Sequence, residues 1–397
     1  MVRKIILISN KKMSKKKKKL YSNEVVTPIC KSATYYFEDT KEVIKYHKGK
    51  ISAGRYGRYD NPNWIEVEDK LAKLDDFDAA LLFPSGMSAI ATTFLSFLQN
   101  KDKVIYTGKG YRNIRSLCGN ILSKFGVEST SLSPANPERF LKELSHFYDK
   151  KTKIVFLEIP SNPHLHMVDL ESVRKILRKD TILIVDSTFA TPINFSPKKW
   201  GADLVIHSCG KYLGGHADIM AGSVAGSKEK IEVIRNYRNV MGCIPDSENA
   251  FLLNRSLATL KLRMDYLNKN GMKLAKYLND NPNIKKVYYS GLPSHSSHEL
   301  AKKYLSGHGG VVSFELEASI SQTAKFVELL KIPFMGTNFG SNYSMVEQCA
   351  IFTYFKETKK TKKDLGISDS LIRYSIGFED IDIIIADIEQ AIRTTFK

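Results

Sequence analysis

The chain has 397 residues, of which 43% are apolar and 26% are charged, enough for a large hydrophobic core and two or three domains. No apolar run approaches the roughly 20 residues that span a bilayer, and the short Ile5–Ile8 cluster lacks the length of a secretory signal. We therefore expect a cytoplasmic protein with no membrane partner. The five cysteines form no CxxC pair, and His164 and His166 have no carboxylate or cysteine nearby in sequence, so we predict no metal site.

The charge is concentrated at the N-terminus. The formal net charge is +18, but residues 1–19 carry nine lysines or arginines and no acid, so the remainder has a charge of +9 (18 less 9). We interpret residues 1–19 as a disordered basic arm that aids solubility. A tail that binds polyanions is the alternative.

The next stretch shows no helical period. Residues 27–37 are rich in Ser, Thr and aromatic side chains, which predicts an extended segment on a surface. The loop GRYGRYDNP, residues 54–62, is punctuated by glycine and proline and contains two arginines and two tyrosines. Arginine matches the geometry of a phosphate group, whereas an ordinary solvated turn has the same composition.

A strand followed by a tight turn and a helix comes next. Apolar spacing over residues 67–74 predicts an amphipathic helix, Ala79–Phe83 a strand, and residues 86–98 a second helix. Ser85 and Gly86 open that second helix. Its N-terminus offers backbone amides and a positive dipole end to a phosphate, although a small N-capping turn has the same pattern.

Two further strands carry polar residues just beyond their ends. Lys103–Thr107 is followed by Tyr111, and Ile154–Leu157 is followed by Glu158 and then the sequence SNP, which contains Asn162. An Asn-Pro turn is the ordinary interpretation of that last motif.

The centre of the chain contains two apolar runs that each lead into reactive side chains. Ile182–Val185 is followed by Asp186, and Leu204–Ile206 is followed by Ser208 and Lys211. Both runs are typical of buried strands. Because ligands bind at the carboxyl ends of strands in open parallel sheets, we expect these three side chains in one crevice.

An acid, a hydroxyl and an amine in one crevice suit a lysine that forms a Schiff base with an aldehyde cofactor. Pyridoxal phosphate needs such an amine for its aldehyde and a carboxylate, here Asp186, for its ring nitrogen. Lys211 would then anchor the cofactor and move protons. A surface lysine after a strand and an aspartate that caps a loop are the alternative from composition and spacing alone.

The C-terminal part predicts a separate α/β unit. A long helical region, Asp246 to Asp280, ends at Asn281–Pro282, which is a candidate hinge. Strands are predicted at 287–289, 311–316 and 371–376, and a final amphipathic helix follows from residue 381.

Arg373 lies within the last of these apolar strands, where an unpaired guanidinium is costly. Its fork of donors suits the α-carboxylate of an amino acid. A structural salt bridge is the alternative.

Four ordered motifs resemble the Cys/Met-metabolism pyridoxal-phosphate (PLP) enzymes, which include cystathionine γ-synthases, cystathionine lyases and methionine γ-lyases. The motifs are RYDNP at 58–62, EIPSNP at 158–163, VDSTFATP from residue 185 and HSCGKYLGGHADIMAGSV from residue 207. The resemblance runs from about Thr27 to the C-terminus. It implies the α/β architecture of PLP-dependent transferase fold type I, with a large, mostly parallel-sheet cofactor domain and a smaller C-terminal α/β domain.

The resemblance also implies a division of the chain. After the basic arm 1–19, residues 20–62 would form an arm that contacts a neighbouring subunit. Residues 63–255 would form the PLP-binding domain, and residues 256–397 the C-terminal domain. Shared active sites would make the protein a homodimer or a larger homo-oligomer, most simply a tetramer of two such dimers.

Site roles follow from the resemblance, position by position. Lys211, Asp186 and Tyr111 would be catalytic, with Tyr111 stacked on the cofactor ring. The expected cofactor contacts are Ser85, Gly86, Met87 and Ser208 at the phosphate, Tyr56 and Arg58 at the phosphate of the adjacent protomer, and Asn162 at the ring oxygen. Substrate contacts would come from Arg373, Asn338, Tyr343 and Arg112.

Several of these positions depart from the family pattern. Gly210 replaces the usual threonine before the lysine, so one phosphate hydrogen bond is missing. Its loss either weakens cofactor binding by about 1 kcal/mol or is compensated locally. Arg112 follows Tyr111 where small residues are common, and Asn338 and Tyr343 replace residues that face the substrate. Arg112 is either a contact for a distal anion of the substrate or a solvent-facing cation.

We therefore expect a cystathionine γ-synthase-like γ-replacement on an O-acylhomoserine with a thiol. The alternatives are a lyase that cleaves a C–S bond, or related chemistry on a specialised amino acid. A different class, a basic nucleic-acid-binding protein on a retired enzyme scaffold, gains support only from the Lys-rich arm and the departures, because it has no use for Asp186, Lys211 and Arg373.

Overall fold

The structure, a computed structural model, describes residues 24–51 and 54–397. The predicted basic arm 1–19 and the first residues of the predicted 20–62 arm lie outside the described residues. The strands are β1 (Ala79–Phe83), β2 (Lys103–Thr107), β3 (Glu128–Leu132), β4 (Thr152–Glu158), β5 (Ile182–Asp186), β6 (Leu204–Ser208), β7 (Gly222–Gly226), β8 (Ile284–Tyr288), β9 (Val311–Leu316), β10 (Phe334–Met335), β11 (Met345–Gln348) and β12 (Leu371–Ser375).

Among the described residues, two α-helices precede β1, and the others lie between the strands or after the last one. They are α1 (Thr40–His47), α2 (Pro62–Leu74), α3 (Gly86–Phe97), α4 (Arg112–Ser116), α5 (Pro137–Phe147), α6 (Leu170–Ile176), α7 (Thr191–Asn194), α8 (Lys228–Met241), α9 (Ser247–Leu257), α10 (Leu260–Asn279), α11 (His298–Tyr304), α12 (Ile320–Leu329), α13 (Lys359–Leu365) and α14 (Ile381–Thr395). No helix in the described part of the chain is both long and apolar enough to cross a membrane.

The larger sheet has seven strands in the order β1-β7-β6-β5-β4-β2-β3. β7 runs antiparallel to both of its neighbours, β1 and β6. The other neighbouring pairs are parallel. The prediction of a mostly parallel sheet is therefore confirmed.

The smaller sheet has five strands in the order β10-β11-β12-β9-β8. β10 and β11 are parallel, and the remaining pairs are antiparallel. The sheet begins just after the predicted Asn281–Pro282 hinge. The predicted domain boundary at residue 255 falls within α9, and the division into domains stays a prediction.

Local sequence signals explain where the helices around the site begin. Asn61 caps α2 through its side chain, which accepts the N–H of Asn63, and Pro62 occupies the first turn. Ser85 caps α3 in the same way, because its hydroxyl accepts the N–H of Ser88. The strand, turn and helix predicted around Ser85 are confirmed.

One predicted helix is two. The region from Asp246 to Asp280 contains α9 and α10 with a break at Ala258 and Thr259. The carbonyl of Ser256 accepts hydrogen bonds from the Arg263 guanidinium at 2.8 Å and from the Thr259 hydroxyl at 3.2 Å. Because these bonds use that carbonyl at the end of α9, the helix ends there and a new one begins.

The hydrophobic core has parts on both faces of the larger sheet and a part that joins the two sheets. The joining part packs residues of α10 and α14 with β9 and β12, and it reaches Tyr212 and Leu213 directly after Lys211. The segment that carries Lys211 is thereby held by side chains from both sheets.

Candidate active site

A cavity of about 670 Å³ lies at the carboxyl ends of the parallel strands. Its walls include most of the side chains predicted to act at the site, namely Ser85, Gly86, Met87, Tyr111, Arg112, Asn162, Asp186, Ser208, Lys211, Asn338 and Arg373. Residues separated by nearly 300 positions in the chain thus meet at one place. The expectation of a single crevice for Asp186, Ser208 and Lys211 is confirmed.

Lys211 lies in the loop after β6 and is partly buried. Its Nζ donates a hydrogen bond to Oδ1 of Asn338 and lies 5.1 Å from the centre of the Phe339 ring. Burial and, to a smaller extent, the nearby Arg373 cation lower the pKa of Lys211 to about 8 against the opposing effect of the Glu347 carboxylate. A larger share of neutral amine, the form that attacks an aldehyde, is therefore present near neutral pH than for an ordinary lysine.

Asp186 ends β5, and Thr188 holds its carboxylate in place. The Thr188 hydroxyl and backbone N–H both donate to Oδ1 of Asp186, at 2.6 and 3.0 Å. The same hydroxyl accepts the N–H of Ser208 at 2.8 Å, which links the acid to the predicted phosphate side of the site. Burial raises the pKa of Asp186, and the bonds from Thr188 and the charge of His207 oppose that rise.

Thr188 was missed by the sequence analysis. The Asp-x-Thr spacing was the available signal, since hydroxyl and carboxylate side chains two residues apart commonly hydrogen-bond across a turn.

His207 and Asp75 form a buried hydrogen-bonded pair close to Asp186. Nε2 of His207 lies 2.9 Å from Oδ1 of Asp75, and both side chains are buried. Burial alone would lower the pKa of His207, but the Asp75 carboxylate more than offsets this, so the pKa lies above its usual value. An imidazolium close behind Asp186 favours the ionised form of that carboxylate.

The predicted phosphate side is formed by close backbone packing around the start of α3. A Cβ on Gly86 would lie 2.9 Å from Cβ of Ser208, and a Cβ on Gly222 would lie 2.3 Å from the carbonyl of Ser85. Only glycine fits at either position. The first amides of α3, which have no acceptor within the helix, are thereby held next to Ser208.

Gly210, the position of the missing threonine, is also tightly packed. A Cβ there would lie 2.6 Å from the backbone carbonyl of Ile219. The departure at Gly210 is thus accompanied by a close approach of the two chain segments that flank the Lys211 loop.

Tyr111 and Asn162 are joined through Glu158. One Glu158 oxygen accepts the backbone N–H of Tyr111 and the other accepts that of Asn162, each at 2.7 Å. The Tyr111 side chain is 44% exposed and borders the cavity. Glu158 follows a predicted strand just as Asp186 does, but no role was predicted for it.

Arg373 forms the salt bridge that was its predicted alternative, and its contact with a substrate carboxylate stays a prediction. It borders the cavity, and its Nη2 lies 2.8 Å from Oε1 of the buried Glu347. Its Nη1 donates to Oδ1 of Asn162 at 3.1 Å, and its Nη2 also donates to the carbonyl of Thr337 at 2.6 Å. Glu347 therefore supplies the anion that the buried Arg373 needs, and Arg373 still borders the cavity.

Arg112 borders the cavity and is held at its rim. Its Nη1 donates to the carbonyl of Thr353 at 3.2 Å. The adjacent Phe352, Thr353 and Tyr354 also line the cavity.

Three predicted site residues lie elsewhere. Tyr343 is 49% exposed and packs edge-on against Phe334. Tyr56 and Arg58 lie away from the cavity of their own chain, and the Arg58 guanidinium donates to the carbonyl of Asn239. Because Tyr56 and Arg58 were expected to act in a neighbouring protomer, their roles stay predictions.

His164 and His166 belong to a buried aromatic cluster. Their rings stack on each other, with centres 5.5 Å apart. The His164 ring also contacts Tyr288 of the smaller sheet, and the His166 ring contacts His295. Within residues 24–51 and 54–397, no group of three or more His, Cys, Asp or Glu is arranged to hold a metal ion.

Comparison with known proteins agrees with this geometry. The model of the family described as Cys/Met metabolism PLP-dependent enzyme matches residues 9–393. Cystathionine gamma-synthase 1, chloroplastic, of Arabidopsis thaliana is 38% identical over 374 residues, which cover 94% of this chain and 66% of that protein. L-methionine gamma-lyase of Fusobacterium nucleatum subsp. polymorphum is 34% identical, with 94% and 95% covered.

A solved structure is also similar. Cystathionine gamma-lyase from Lactobacillus plantarum, complexed with L-serine, aligns with a TM-score of 0.85 and 30% identity over 93% of each chain.

The residues present fit pyridoxal phosphate. They provide an amine of lowered pKa in Lys211, a carboxylate in Asp186 and a glycine-lined helix N-terminus beside Ser208. These are the groups that an aldehyde, a pyridine nitrogen and a phosphate need. The chain belongs to the Cys/Met metabolism PLP-dependent enzyme family.

Proposed function

We propose that this enzyme catalyses γ-replacement, in which a thiol displaces the acyloxy group of an O-acylhomoserine. The observation that carries the proposal is the convergence of Lys211, Asp186, Asn162 and Arg373 in one cavity. The 38% identity to a cystathionine gamma-synthase favours replacement over elimination.

The proposed roles follow from the chemistry of each side chain. When bound, pyridoxal phosphate takes up the electrons left behind when a bond at the α-carbon of an amino acid breaks. Asp186 would hold a proton at the ring nitrogen, and Lys211 would be the base that removes the α-proton of the substrate. Arg373 orients the substrate through its α-carboxylate.

Arg112 is the proposed contact for a distal anion. It borders the cavity, and its bond to the carbonyl of Thr353 uses only one of its donors. A guanidinium at the rim suits an O-acyl group that ends in a carboxylate. Arg112→Leu should then raise KM for an O-succinyl ester more than for an O-acetyl ester.

Product analysis tests the reaction. Purified enzyme is incubated with an O-acylhomoserine, with and without cysteine, and the carboxylic acid, cystathionine, ammonia and 2-oxobutanoate are measured. Replacement gives one cystathionine for each carboxylic acid released. If ammonia and 2-oxobutanoate appear equally with and without thiol, the proposal of γ-replacement is wrong.

The second candidate is a C–S lyase. It is supported by the 34% identity to an L-methionine gamma-lyase of which the chain covers 95%. That enzyme class would release a thiol, ammonia and a 2-oxoacid from the amino acid alone. Methionine and cystathionine as sole substrates distinguish the two candidates.

We also propose a homodimer, or a larger assembly of such dimers, with shared sites, in which Tyr56 and Arg58 serve the partner's phosphate. Co-expression of Arg58→Ala and Lys211→Ala chains tests it. Each variant alone lacks a complete site, whereas a mixed dimer has one intact site, so about a quarter of all sites regain activity. No recovery in mixed dimers would contradict the sharing.

A further inference from the structure

Glu158 is a buried carboxylate with no role in the reaction described above. It ends β4 in direct register with Asp186 at the end of β5, and it is 4% exposed. A second buried acid beside the one proposed for the ring nitrogen is costly, since like charges in a dry environment repel. Interactions that offset this cost are therefore expected around Glu158.

The hydrogen bonds of Glu158 are such interactions. Oε2 accepts the N–H of Tyr111 and Oε1 accepts the N–H of Asn162, both at 2.7 Å. A single carboxylate thus bridges the segment after β2 and the segment after β4. The distance between those two segments is set by the width of one carboxylate group.

The packing around Glu158 leaves it little freedom to move. A Cβ on Gly110 would lie 2.7 Å from Oε2 of Glu158, so the chain before Tyr111 passes directly over the carboxylate. The backbone N–H of Glu158 donates to the Thr107 hydroxyl at 2.9 Å, which fixes the acid to the end of β2.

The bridge continues to the smaller sheet. Asn162, held at its N–H by Glu158, accepts a hydrogen bond from Nη1 of Arg373 through its side chain at 3.1 Å. Arg373 in turn is paired with Glu347, whose Oε2 accepts the hydroxyl of Thr353 at 2.5 Å. The chain of bonds returns to α4, where Arg112 contacts the carbonyl of Thr353.

We propose that Glu158 is a positioning residue that fixes Tyr111 and Asn162 relative to each other. It thereby sets the positions from which the aromatic ring and the amide contact the cofactor. The inference rests on the proposed cofactor contacts of Tyr111 and Asn162. Glu158 borders the cavity, and it acts through the backbones of these two residues and through its charge.

Both donors are N–H groups, so the bridge needs two acceptor oxygens. A carboxylate supplies them, whereas the amide of glutamine presents one oxygen and one NH2 group. Glutamine at this position therefore places an N–H donor opposite one of the two backbone N–H groups, and that hydrogen bond is lost. Aspartate keeps two oxygens but is one methylene shorter, so it cannot reach both segments without moving one of them.

The test compares Glu158→Gln and Glu158→Asp with a control variant, Glu315→Gln. Glu315 is a similarly buried glutamate on β9, 8% exposed, and it accepts the Tyr288 hydroxyl at 2.6 Å. In each variant the dissociation constant of pyridoxal phosphate, the pH midpoint of the visible band of the Lys211-linked cofactor, kcat, KM and the thermal midpoint are measured.

We expect Glu158→Gln to weaken cofactor binding by about tenfold, as for one lost hydrogen bond to a charged group. Burial and the neighbouring Asp186 raise the pKa of Glu158, and the two backbone N–H bonds and Arg373 oppose that rise. At a pH where Glu158 is ionised, loss of its negative charge should also move the pH midpoint of the band lower. Glu158→Asp keeps the charge, so it should weaken binding while leaving that midpoint near its original value. Glu315→Gln should change the thermal midpoint alone.

A Glu158→Gln enzyme that loses thermal stability but keeps its cofactor affinity and pH midpoint would overturn the proposal. Two further variants separate this outcome from a failure of the assumed contacts. If Tyr111→Phe and Asn162→Ala both leave cofactor affinity and the pH midpoint unchanged, the assigned contacts are wrong, whatever Glu158→Gln does.

Discussion

The Arg373 guanidinium lies against the Glu347 carboxylate, with Nη2 and Oε1 2.8 Å apart and both side chains almost fully buried. In a cavity where a substrate carboxylate is proposed to bind, Glu347 is an internal competitor for the same cation. It stabilises Arg373 in the absence of substrate, because an isolated buried guanidinium would be costly.

Glu347→Gln should therefore have two opposite effects. Removal of one partner of a buried ion pair should lower the free energy of unfolding by about 3 kcal/mol. Arg373 should at the same time bind a substrate carboxylate more tightly, so KM should fall. Denaturation and steady-state kinetics measure the two effects. Glu389→Gln, which breaks an exposed pair with Arg393, is the control and should cost less than about 1 kcal/mol. An unchanged or higher KM would contradict the competition.

The lowered pKa of Lys211 predicts the pH dependence of cofactor capture. At pH 8 about half of the Lys211 side chains would be neutral, compared with about 0.3% for a lysine of ordinary pKa. The rate at which apoenzyme links to pyridoxal should rise with pH and level off just above pH 8. Stopped-flow absorbance measures it. A rate that still climbs tenfold per pH unit between pH 9 and 10 would show an ordinary lysine.

Gly210→Thr should lower stability and cofactor affinity, although it introduces the residue that is common in relatives. A Cβ at this position would lie 2.6 Å from the carbonyl of Ile219, so one backbone segment must move. We expect a fall of about 1–3 kcal/mol in the free energy of unfolding and weaker cofactor binding. Gly119→Thr is the control, since a Cβ there meets nothing within 4 Å. Tighter cofactor binding by Gly210→Thr would show that the two segments separate easily.

The histidine cluster predicts a loss of stability in acid. Burial lowers the pKa values of His164, His166 and His295 to about 4, 2 and 4, and neighbouring cations add to the effect. Unfolded histidines take up protons below about pH 6.5 while the folded ones do not, so stability is full above that pH and falls as the pH drops. Each histidine should contribute about 1.4 kcal/mol per pH unit.

Unfolding of His164→Gln between pH 6 and 5 checks this expectation. Its free energy should fall less steeply than that of the unaltered enzyme, by about 1.4 kcal/mol per pH unit. His146→Gln, at an exposed position, should leave the slope as it was. Equal slopes for both variants would mean that the buried ring does not resist protonation.

The elements that sequence predicted best are those whose apolar runs end in reactive residues. β5 and β6 are rich in branched apolar side chains, so both strands and the crevice at their ends could be predicted. β7, with the sequence GSVAG, could not. Its small residues are explained by a contact, because a Cβ on Gly222 would meet the carbonyl of Ser85, and no local pattern shows that contact.

The site residues divide in the same way into those that could be predicted from sequence and those that could not. Lys211, Asp186 and Arg373 stand out because a charged group beside or within an apolar run needs an explanation. Thr188 lies within the VDSTFATP motif but was assigned no role, and Glu347 lies outside the four motifs. Their contacts with Asp186 and Arg373 are seen only in the structure. Tyr343 is the opposite case, a residue predicted at the site whose side chain does not border the cavity.

The antiparallel pairing of β7 with β6 affects the order in which the site can be assembled. Lys211 lies in a short loop closed by that strand pair, and its neighbours Cys209 and Ala221 are joined by a backbone hydrogen bond of 2.9 Å. Arg373, by contrast, meets Asn162 across 211 residues of chain. Because loop closure costs more entropy as the loop lengthens, the loop that carries Lys211 costs less to close than the pairing of Arg373 with Asn162. We therefore expect this loop to close early in folding, whereas Lys211 and Arg373 reach their final contacts with Asn338 and Asn162 only when the smaller sheet has packed against the larger one.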